Sequence, residues 1–159
     1  MDYFQGVVAE YLRADRAVFI NSECLIQLDS GTALPKSRHW YCDMVAVNFR
    51  ETKVYLCEIS YSSTMYALLT RLRAWEAHWP TLVAAISRDC GIPSTWKVEP
   101  WLFIPEARHS ELNTKLATFI KNDGAAHHMP TPRVTHLESV TPWKYPSWNR
   151  QSDSIANCP

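Results

Sequence analysis

Two apolar, β-rich runs follow one another with only three residues between them, and this spacing constrains the fold more than any other feature. The runs are residues 41–49 (YCDMVAVNF) and 53–61 (KVYLCEISY), and they are joined by Arg50, Glu51 and Thr52. Short runs rich in Val and Tyr, separated by a three-residue connection, are typical of a β-hairpin. The sequence therefore predicts two adjacent antiparallel strands.

Hydrophobic periodicity predicts the elements on either side of this hairpin. We expect a helix over 3–14, a strand over 17–28, a helical stretch over 65–86 that is kinked or divided at Pro80, a strand over 96–104 and a helix over 109–121. A helix that connects two strands of one sheet usually places them parallel. The expected fold is thus α/β, with a central mixed sheet of four or five strands flanked by helices, in the order helix-strand-strand-strand-helix-strand-helix.

The length of 159 residues is close to that of one ordinary domain. Proline becomes frequent after Gly124, so we predict a core domain over 1–124 and a Pro/Trp-rich C-terminal extension over 125–159. Residues 133–140 alternate well enough to add an edge strand to the core. The aromatic residues Trp143, Tyr145 and Trp148 either cover the domain's own apolar surface, which we favour, or stack on nucleic-acid bases.

Charge and cysteine content narrow the class of protein. Sixteen basic residues balance sixteen acidic ones, so bulk charge does not drive nucleic-acid binding, and such a site needs a local patch. The five cysteines form no CxxC pair. Neither a secretory signal nor a membrane-spanning apolar run is visible. We expect a reduced, soluble, cytoplasmic protein without a membrane partner.

Two carboxylates interrupt the apolar strands of the hairpin. Asp43 lies near the start of the first strand and Glu58 near the end of the second, with fourteen residues between them. Adjacent antiparallel strands bring these two positions to the same end of the sheet. Two carboxylates that converge repel one another unless they are protonated, separated or bridged by a cation. Oxygen ligands of this type suit Mg²⁺ or Mn²⁺.

The element order and these carboxylates resemble the PD-(D/E)XK nuclease superfamily. Its core runs helix, three strands, helix, strand, and its active site combines an Asp on one strand with Glu-x-Lys on the next. Here the matching residues are Asp43 and Glu58-Ile59-Ser60, and Glu10 occupies the place of the Glu that the first helix often adds. The resemblance covers roughly residues 3–121.

This resemblance implies a restriction-endonuclease-like fold and a metal-dependent nuclease. Asp43 and Glu58 would hold one Mg²⁺ or Mn²⁺, with Glu10 as an outer or second-ion ligand. The reaction would be hydrolysis of phosphodiester bonds in DNA, or in RNA. A chain of this size is expected to need a homodimer or a protein partner for sequence specificity.

The sequence departs from the superfamily pattern at two of these positions. No Pro precedes Asp43, which is common in the superfamily and harmless. Ser60 replaces the motif Lys, and this change bears on catalysis. Ser60 shares a strand face with Glu58 and is expected to hydrogen-bond the attacking water, although it carries no positive charge. Arg71, on the following helix, is a candidate substitute for that charge.

Other residues offer contacts to nucleic acid. His39, Arg38 and Arg71 are the candidates for such contacts. The alternative function is a catalytically degenerate protein of the same fold that binds nucleic acid or another protein. A small-molecule enzyme is not favoured, since the sequence contains neither a Gly-rich phosphate loop nor a nucleophile elbow.

Overall fold

The computed structural model of the chain describes residues 2–28, 39–121 and 124–148. Arg38 lies outside these residues, and for His39 only the backbone is described. The helices are α1 (Tyr3–Arg13), α2 (Tyr66–Ala77), α3 (Trp79–Cys90) and α4 (His109–Leu116), and the strands are β1 (Val18–Gln27), β2 (His39–Asn48), β3 (Lys53–Ile59), β4 (Lys97–Ile104) and β5 (Arg133–His136).

A five-stranded mixed sheet with the order β1-β2-β3-β4-β5 forms the centre of the molecule. Strands β1, β2 and β3 are antiparallel neighbours, whereas β4 lies parallel to β3 and β5 lies parallel to β4. The α/β class, the mixed sheet and the hairpin expected from the sequence are confirmed. The parallel pairs arise because helices connect β3 to β4 and β4 to β5.

Helices cover both faces of the sheet. On one face, α1 packs Val8, Ala9 and Leu12 against apolar residues of the central strands. On the other face, α2, α3 and α4 contribute a larger cluster: Leu68, Leu69, Leu72, Trp75, Trp79, Leu82, Ala85, Ile86, Leu112 and Leu116. Both faces of β3 are therefore buried, which accounts for its nearly continuous apolar sequence.

The helical stretch expected over 65–86 is divided into two helices at Pro80. His78 between them has a φ of −128°, outside the helical range. Pro80 lies in the first turn of α3, where a missing backbone N–H costs no helical hydrogen bond. Of the two outcomes considered for Pro80, the structure shows consecutive helices.

The last predicted helix is shorter than its periodicity indicated. Helix α4 ends at Leu116 rather than near residue 121. The Thr118 hydroxyl donates a hydrogen bond to the carbonyl oxygen of Lys115 at 2.6 Å, and the backbone N–H of Phe119 bonds Leu116 three residues back. These local bonds tighten the last turn and end the helix.

The added strand is also shorter than the predicted 133–140. Strand β5 ends at His136 and a 3₁₀ turn spans Leu137–Ser139. Leu137 and Val140 are both buried in the cluster beside α1. Residues three apart in a strand point to opposite faces, so burying both in one cluster requires a turn.

The described part of the C-terminal extension packs on the rest of the chain. The Trp101 indole of β4 donates a hydrogen bond to the Thr135 hydroxyl of β5 at 2.8 Å. Tyr145 is buried, with its ring centroid 5.0 Å from that of Tyr11 on α1, whereas Trp143 and Trp148 are exposed. Among the described residues, no helix has the length and apolar character needed to cross a membrane.

Candidate functional site

Strands β2 and β3 separate at Asp43, and this fork forms one end of the candidate site. Strand β2 pairs with β1 from His39 opposite Gln27 to Asn48 opposite Val18, with a break at Asp43, which has no partner on β1. Its pairing with β3 begins only at Met44, opposite Cys57. The next residues outward on the two strands are Asp43 and Glu58. Both carboxylates therefore lie at the same end of the sheet, just beyond the last paired residues of β2 and β3.

The Asp43 carboxylate replaces a missing strand-to-strand bond at this fork. Its Oδ2 accepts a hydrogen bond from the backbone N–H of Ile59 at 2.9 Å. Its Oδ1 accepts a second from Nε2 of Gln5 on α1 at 3.1 Å. Asp43 is thus held by β3 and by α1, which orients it toward the end of the hairpin.

Glu58 is one of the few charged side chains buried in the described structure, at 2% exposure. The pKa of Glu58 is raised to about 8, chiefly by burial and then by the nearby Asp43 charge, against the lowering effect of Arg71. Within the described residues, its Oε1 atom is buried and has no hydrogen-bond partner. The carboxylate pair therefore lacks compensating positive charge at Oε1.

Arg71 of α2 lies between the two carboxylates. Its Nη1 atom forms an ion pair with Oε2 of Glu58 and lies 3.9 Å from Oδ1 of Asp43. The Arg71 side chain is about one third exposed, since its outer side faces an open groove. Arg71 thus supplies positive charge beside both carboxylates.

Two buried thiols, Cys42 and Cys57, lie near the carboxylate pair. Cys42 donates to the carbonyl oxygens of Met44 and Cys57 at 3.1 and 3.3 Å. Burial raises the pKa of both Cys42 and Cys57, and the Glu58 charge raises them further. These thiols stay protonated at neutral pH, so they supply a desolvating wall rather than a nucleophile.

Asp43 and Glu58 are the side chains of this site that could hold a divalent cation. Mg²⁺ in proteins is commonly held by one or two carboxylates together with waters and substrate phosphate oxygens. Both oxygens of Asp43 already accept hydrogen bonds, and Oε1 of Glu58 is buried without a hydrogen-bond partner among the described residues. In the part of the chain that the structure describes, no cluster of three or more His, Cys, Asp or Glu side chains is placed to hold a metal.

The structure does not bring Glu10 to the pair. Glu10 is exposed and forms an ion pair with Arg13 of the same helix at 3.2 Å. The buried face of α1 is formed by Val8, Ala9 and Leu12, and Glu10 lies off that face. The role that the resemblance gave to Glu10 as a metal ligand stays a prediction without a geometric basis here.

The other predicted site residues are distributed as follows. Ser60 follows the last residue of β3, and its backbone N–H donates a hydrogen bond to the carbonyl oxygen of Phe103 on β4 at 3.0 Å. His39 begins β2, and its side chain is not described. Arg38 lies outside the described residues. The structure thus brings together Asp43, Glu58 and Arg71.

Gln5 is a site residue that sequence reasoning missed. It lies at the third position of α1 and closes a capping box with Asp2, in which each side chain accepts a bond from the other's backbone N–H. The Asp-x-x-Gln spacing signals a helix start. It carries no information about the second bond from Gln5 to Asp43, which depends on how α1 packs on the sheet.

Comparison with known proteins does not assign the chain to a family. No protein-family model matches the chain, and no curated protein matches its sequence significantly.

Proposed function

We propose that this protein is a divalent-cation-dependent nuclease that hydrolyses phosphodiester bonds of nucleic acid, with DNA as the first candidate. The observation that supports it best is the buried Oε1 of Glu58, which has no hydrogen-bond partner in the described residues and lies beside a second carboxylate. A buried, under-compensated carboxylate pair is costly to maintain. Such a pair is typical of a site whose missing charge comes from a bound ion.

Asp43 and Glu58 would hold the cation, which is Mg²⁺ or Mn²⁺. When bound, such an ion polarises the phosphoryl oxygens and lowers the pKa of a water molecule. Asp43 is fixed in advance by its hydrogen bonds from Ile59 and Gln5, so ion binding requires little reorganisation of the backbone. Glu58 must lose its proton to bind an ion, which ties ion binding to pH.

Arg71 and Ser60 would act on the substrate rather than on the ion. The Arg71 guanidinium reaches the carboxylates from one side and the groove from the other, so it can donate to a phosphate oxygen as negative charge grows. Arg is a poor general base, because its pKa is too high for it to lose a proton. The Ser60 hydroxyl would orient the attacking water, whose oxygen would bond phosphorus as the ester P–O bond breaks. The water would release its proton to solvent, and the leaving oxygen would take up a proton from solvent.

Manganese binding followed by calorimetry tests the ion site. We expect the wild-type chain to bind Mn²⁺, and the variants Asp43→Ala and Glu58→Gln to lose that binding while still unfolding cooperatively. The matched control is Asp89→Asn, since Asp89 is exposed and pairs with Arg88 at the end of α3. Unchanged Mn²⁺ binding in both site variants would contradict the proposal.

A hydrolysis assay tests turnover. The chain is incubated with labelled DNA and RNA, in single- and double-stranded form, with Mg²⁺ or Mn²⁺ and then with EDTA. We expect cleavage that EDTA abolishes and that Glu58→Gln reduces by at least about 100-fold, as typical of removing a group that stabilises the transition state. Cleavage that survives both changes would exclude these residues from catalysis.

One observation favours the second candidate, a catalytically degenerate binding module. Arg71 already pairs with Glu58 and thereby supplies part of the charge that an ion would supply. In that case nucleic acid or a protein partner would bind without being cleaved. Binding of nucleic acid in the absence of any Mn²⁺ site or cleavage would support this candidate over the first.

A further inference from the structure

Four exposed tyrosines of the described residues lie near the end of the sheet at which the carboxylate pair is found. Eight large hydrophobic side chains are exposed in the described structure, and four of them are tyrosines: Tyr3, Tyr41, Tyr61 and Tyr66. Tyr41 precedes Asp43 by two residues on β2, and Tyr61 follows the end of β3. Tyr66 begins α2, the helix that carries Arg71. Every one of these tyrosines is thus linked to an element of the site.

Tyr41 and Tyr66 line an open groove of about 580 Å³ that ends at Arg71. Tyr41 is 59% exposed and Tyr66 is 74% exposed. The side of the groove formed by α2 carries the small residues Ala67 and Ala74, which leave room between the rings. This volume lies within the range of about 300–1,000 Å³ found for sites that enclose small ligands.

Tyr61 and Tyr3 lie on the other face of the same edge, beside α1. The rings of Phe4 and Tyr61 are 4.6 Å apart and tilted by 32°, and Tyr3 contacts Phe4 edge-on at 5.4 Å. Phe4 thus supports Tyr61 from within α1. Aromatic rings therefore flank the carboxylates from both the α1 side and the α2 side.

We infer that the groove binds the unpaired bases of a single-stranded nucleic acid, with Arg71 at its end contacting a backbone phosphate. This inference rests on the proposed function and specifies its substrate class. Exposed aromatic rings stack on bases regardless of sequence, provided that the bases are not already stacked in a duplex. The groove contains both the Arg71 guanidinium and the rings of Tyr41 and Tyr66. The guanidinium is complementary to the phosphate of a nucleotide, and the rings are complementary to its base. The net charge of zero is compatible with this mode, because stacking supplies affinity that bulk charge does not.

Fluorescence anisotropy in EDTA tests the inference without requiring catalysis. The probes are a labelled short DNA strand, the RNA strand of the same sequence, the DNA duplex and a DNA strand that lacks its bases. We expect either single strand to bind more tightly than the duplex. The comparison of the DNA strand with the RNA strand shows whether the groove prefers deoxyribose or ribose. The strand without bases should bind more weakly than the intact strand by about 5-fold to 150-fold, the range measured for loss of one stacked base.

Variants in the groove separate stacking from folding. Tyr66→Ala and Tyr41→Ala should each weaken binding of the intact strand within that same range, whereas Tyr66→Phe should retain it because the ring remains. Phe19→Ala is the matched control, since Phe19 is also exposed but lies on β1, in contact with Phe49. Equal binding of duplex and single strand, or unchanged binding in both alanine variants, would overturn the inference.

The outcome for the groove is distinguishable from that for the nuclease. If duplex and single strand were cleaved equally and Tyr66→Ala had no effect, the nuclease proposal would hold and the groove inference would be wrong. If single strands were bound selectively but not cleaved, the groove inference would hold and the nuclease proposal would be wrong. Absence of binding to every probe in EDTA would overturn the inference about the groove, while the hydrolysis assay with Mg²⁺ or Mn²⁺ would decide on the nuclease independently.

Discussion

Arg71 on α2 forms an ion pair with Glu58 at the end of β3, and the same guanidinium nitrogen lies 3.9 Å from Asp43. One cation on a helix is thus shared by two carboxylates on adjacent strands. The positive charge of Arg71 does not offset the other effects on Glu58, because burial and the Asp43 charge still raise the pKa of Glu58 to about 8. The stability of the fold should therefore depend on pH and on the charge at this site.

Replacing Glu58 by Gln should stabilise the protein at high pH. Unfolded Glu58 loses its proton near pH 4.5 and the folded one only near pH 8, so folded stability falls as pH rises through that window. Glu58→Gln removes this loss. We expect it to raise the free energy of unfolding by on the order of 2–4 kcal/mol at about pH 9 and to have little effect at about pH 4.

Urea unfolding at both pH values measures this difference. The matched control is Glu10→Gln, because Glu10 is exposed and its charge is solvated in both states. A Glu58→Gln variant that is destabilised equally at both pH values would show that the carboxylate is not under electrostatic strain.

Removing Arg71 should have opposite effects on stability and on ion binding. Arg71→Ala leaves the buried Glu58 charge without its partner, which should cost about 1–3 kcal/mol above pH 8, less than for a fully buried pair because Arg71 is about one third exposed. The same variant should bind Mn²⁺ severalfold more tightly, since no guanidinium competes for the carboxylates, yet cleave more slowly.

Chemical unfolding and Mn²⁺ calorimetry on the same sample check both effects. Arg73→Ala is the control, since Arg73 lies two residues further on α2 and stacks on Phe119 rather than on the carboxylates. Weaker Mn²⁺ binding in Arg71→Ala would indicate that the arginine helps to hold the ion site open.

The hydrogen bond from Ile59 to Asp43 should protect the Ile59 amide from exchange with solvent. No strand partner faces that N–H on the β2 side, because pairing with β3 begins only at Met44. Asp43→Ala should therefore speed deuterium exchange at Ile59, while the amide of Leu56, paired within the ladder, should remain protected.

Hydrogen-exchange mass spectrometry or NMR resolves the two amides. Gln5→Ala is the informative companion, since it removes the second bond to Asp43 without touching Ile59. If Ile59 exchanged at the same rate in all three proteins, the fork would not depend on Asp43.

Glu76 should anchor the start of the C-terminal extension to α2. One carboxylate oxygen contacts Nδ1 of His128 at 2.8 Å, and the other accepts a bond from the backbone N–H of Met129 at 2.8 Å. Glu76→Ala leaves a part-buried N–H unsatisfied, which should cost about 1–3 kcal/mol.

Limited proteolysis reports this loss as faster cleavage near residues 124–131. Glu111→Ala serves as the control, because Glu111 pairs with Lys115 on the surface of α4. Equal cleavage of the two variants would show that other contacts hold the extension.

The sequence by itself determined the local elements and the meeting of two carboxylates. Alternation in residues 41–49 and 53–61 predicts the hairpin, since a strand's side chains alternate between faces. Antiparallel pairing then places Asp43 and Glu58 at one end of the sheet, as observed. The helix α1 and the strand β4 follow from hydrophobic periodicity in the same way, and Pro80 predicts an interruption of the long helix, although the sequence left open whether this is a kink or a division.

Only the tertiary structure decided which side chains complete the site. Gln5 reaches Asp43, Arg71 reaches Glu58, and Glu10 is turned away toward Arg13. These outcomes depend on how α1 and α2 rotate and cross the sheet, which is set by the packing of both apolar faces together. Backbone periodicity fixes the position of a residue along an element, but long-range packing fixes which residue of another element it meets.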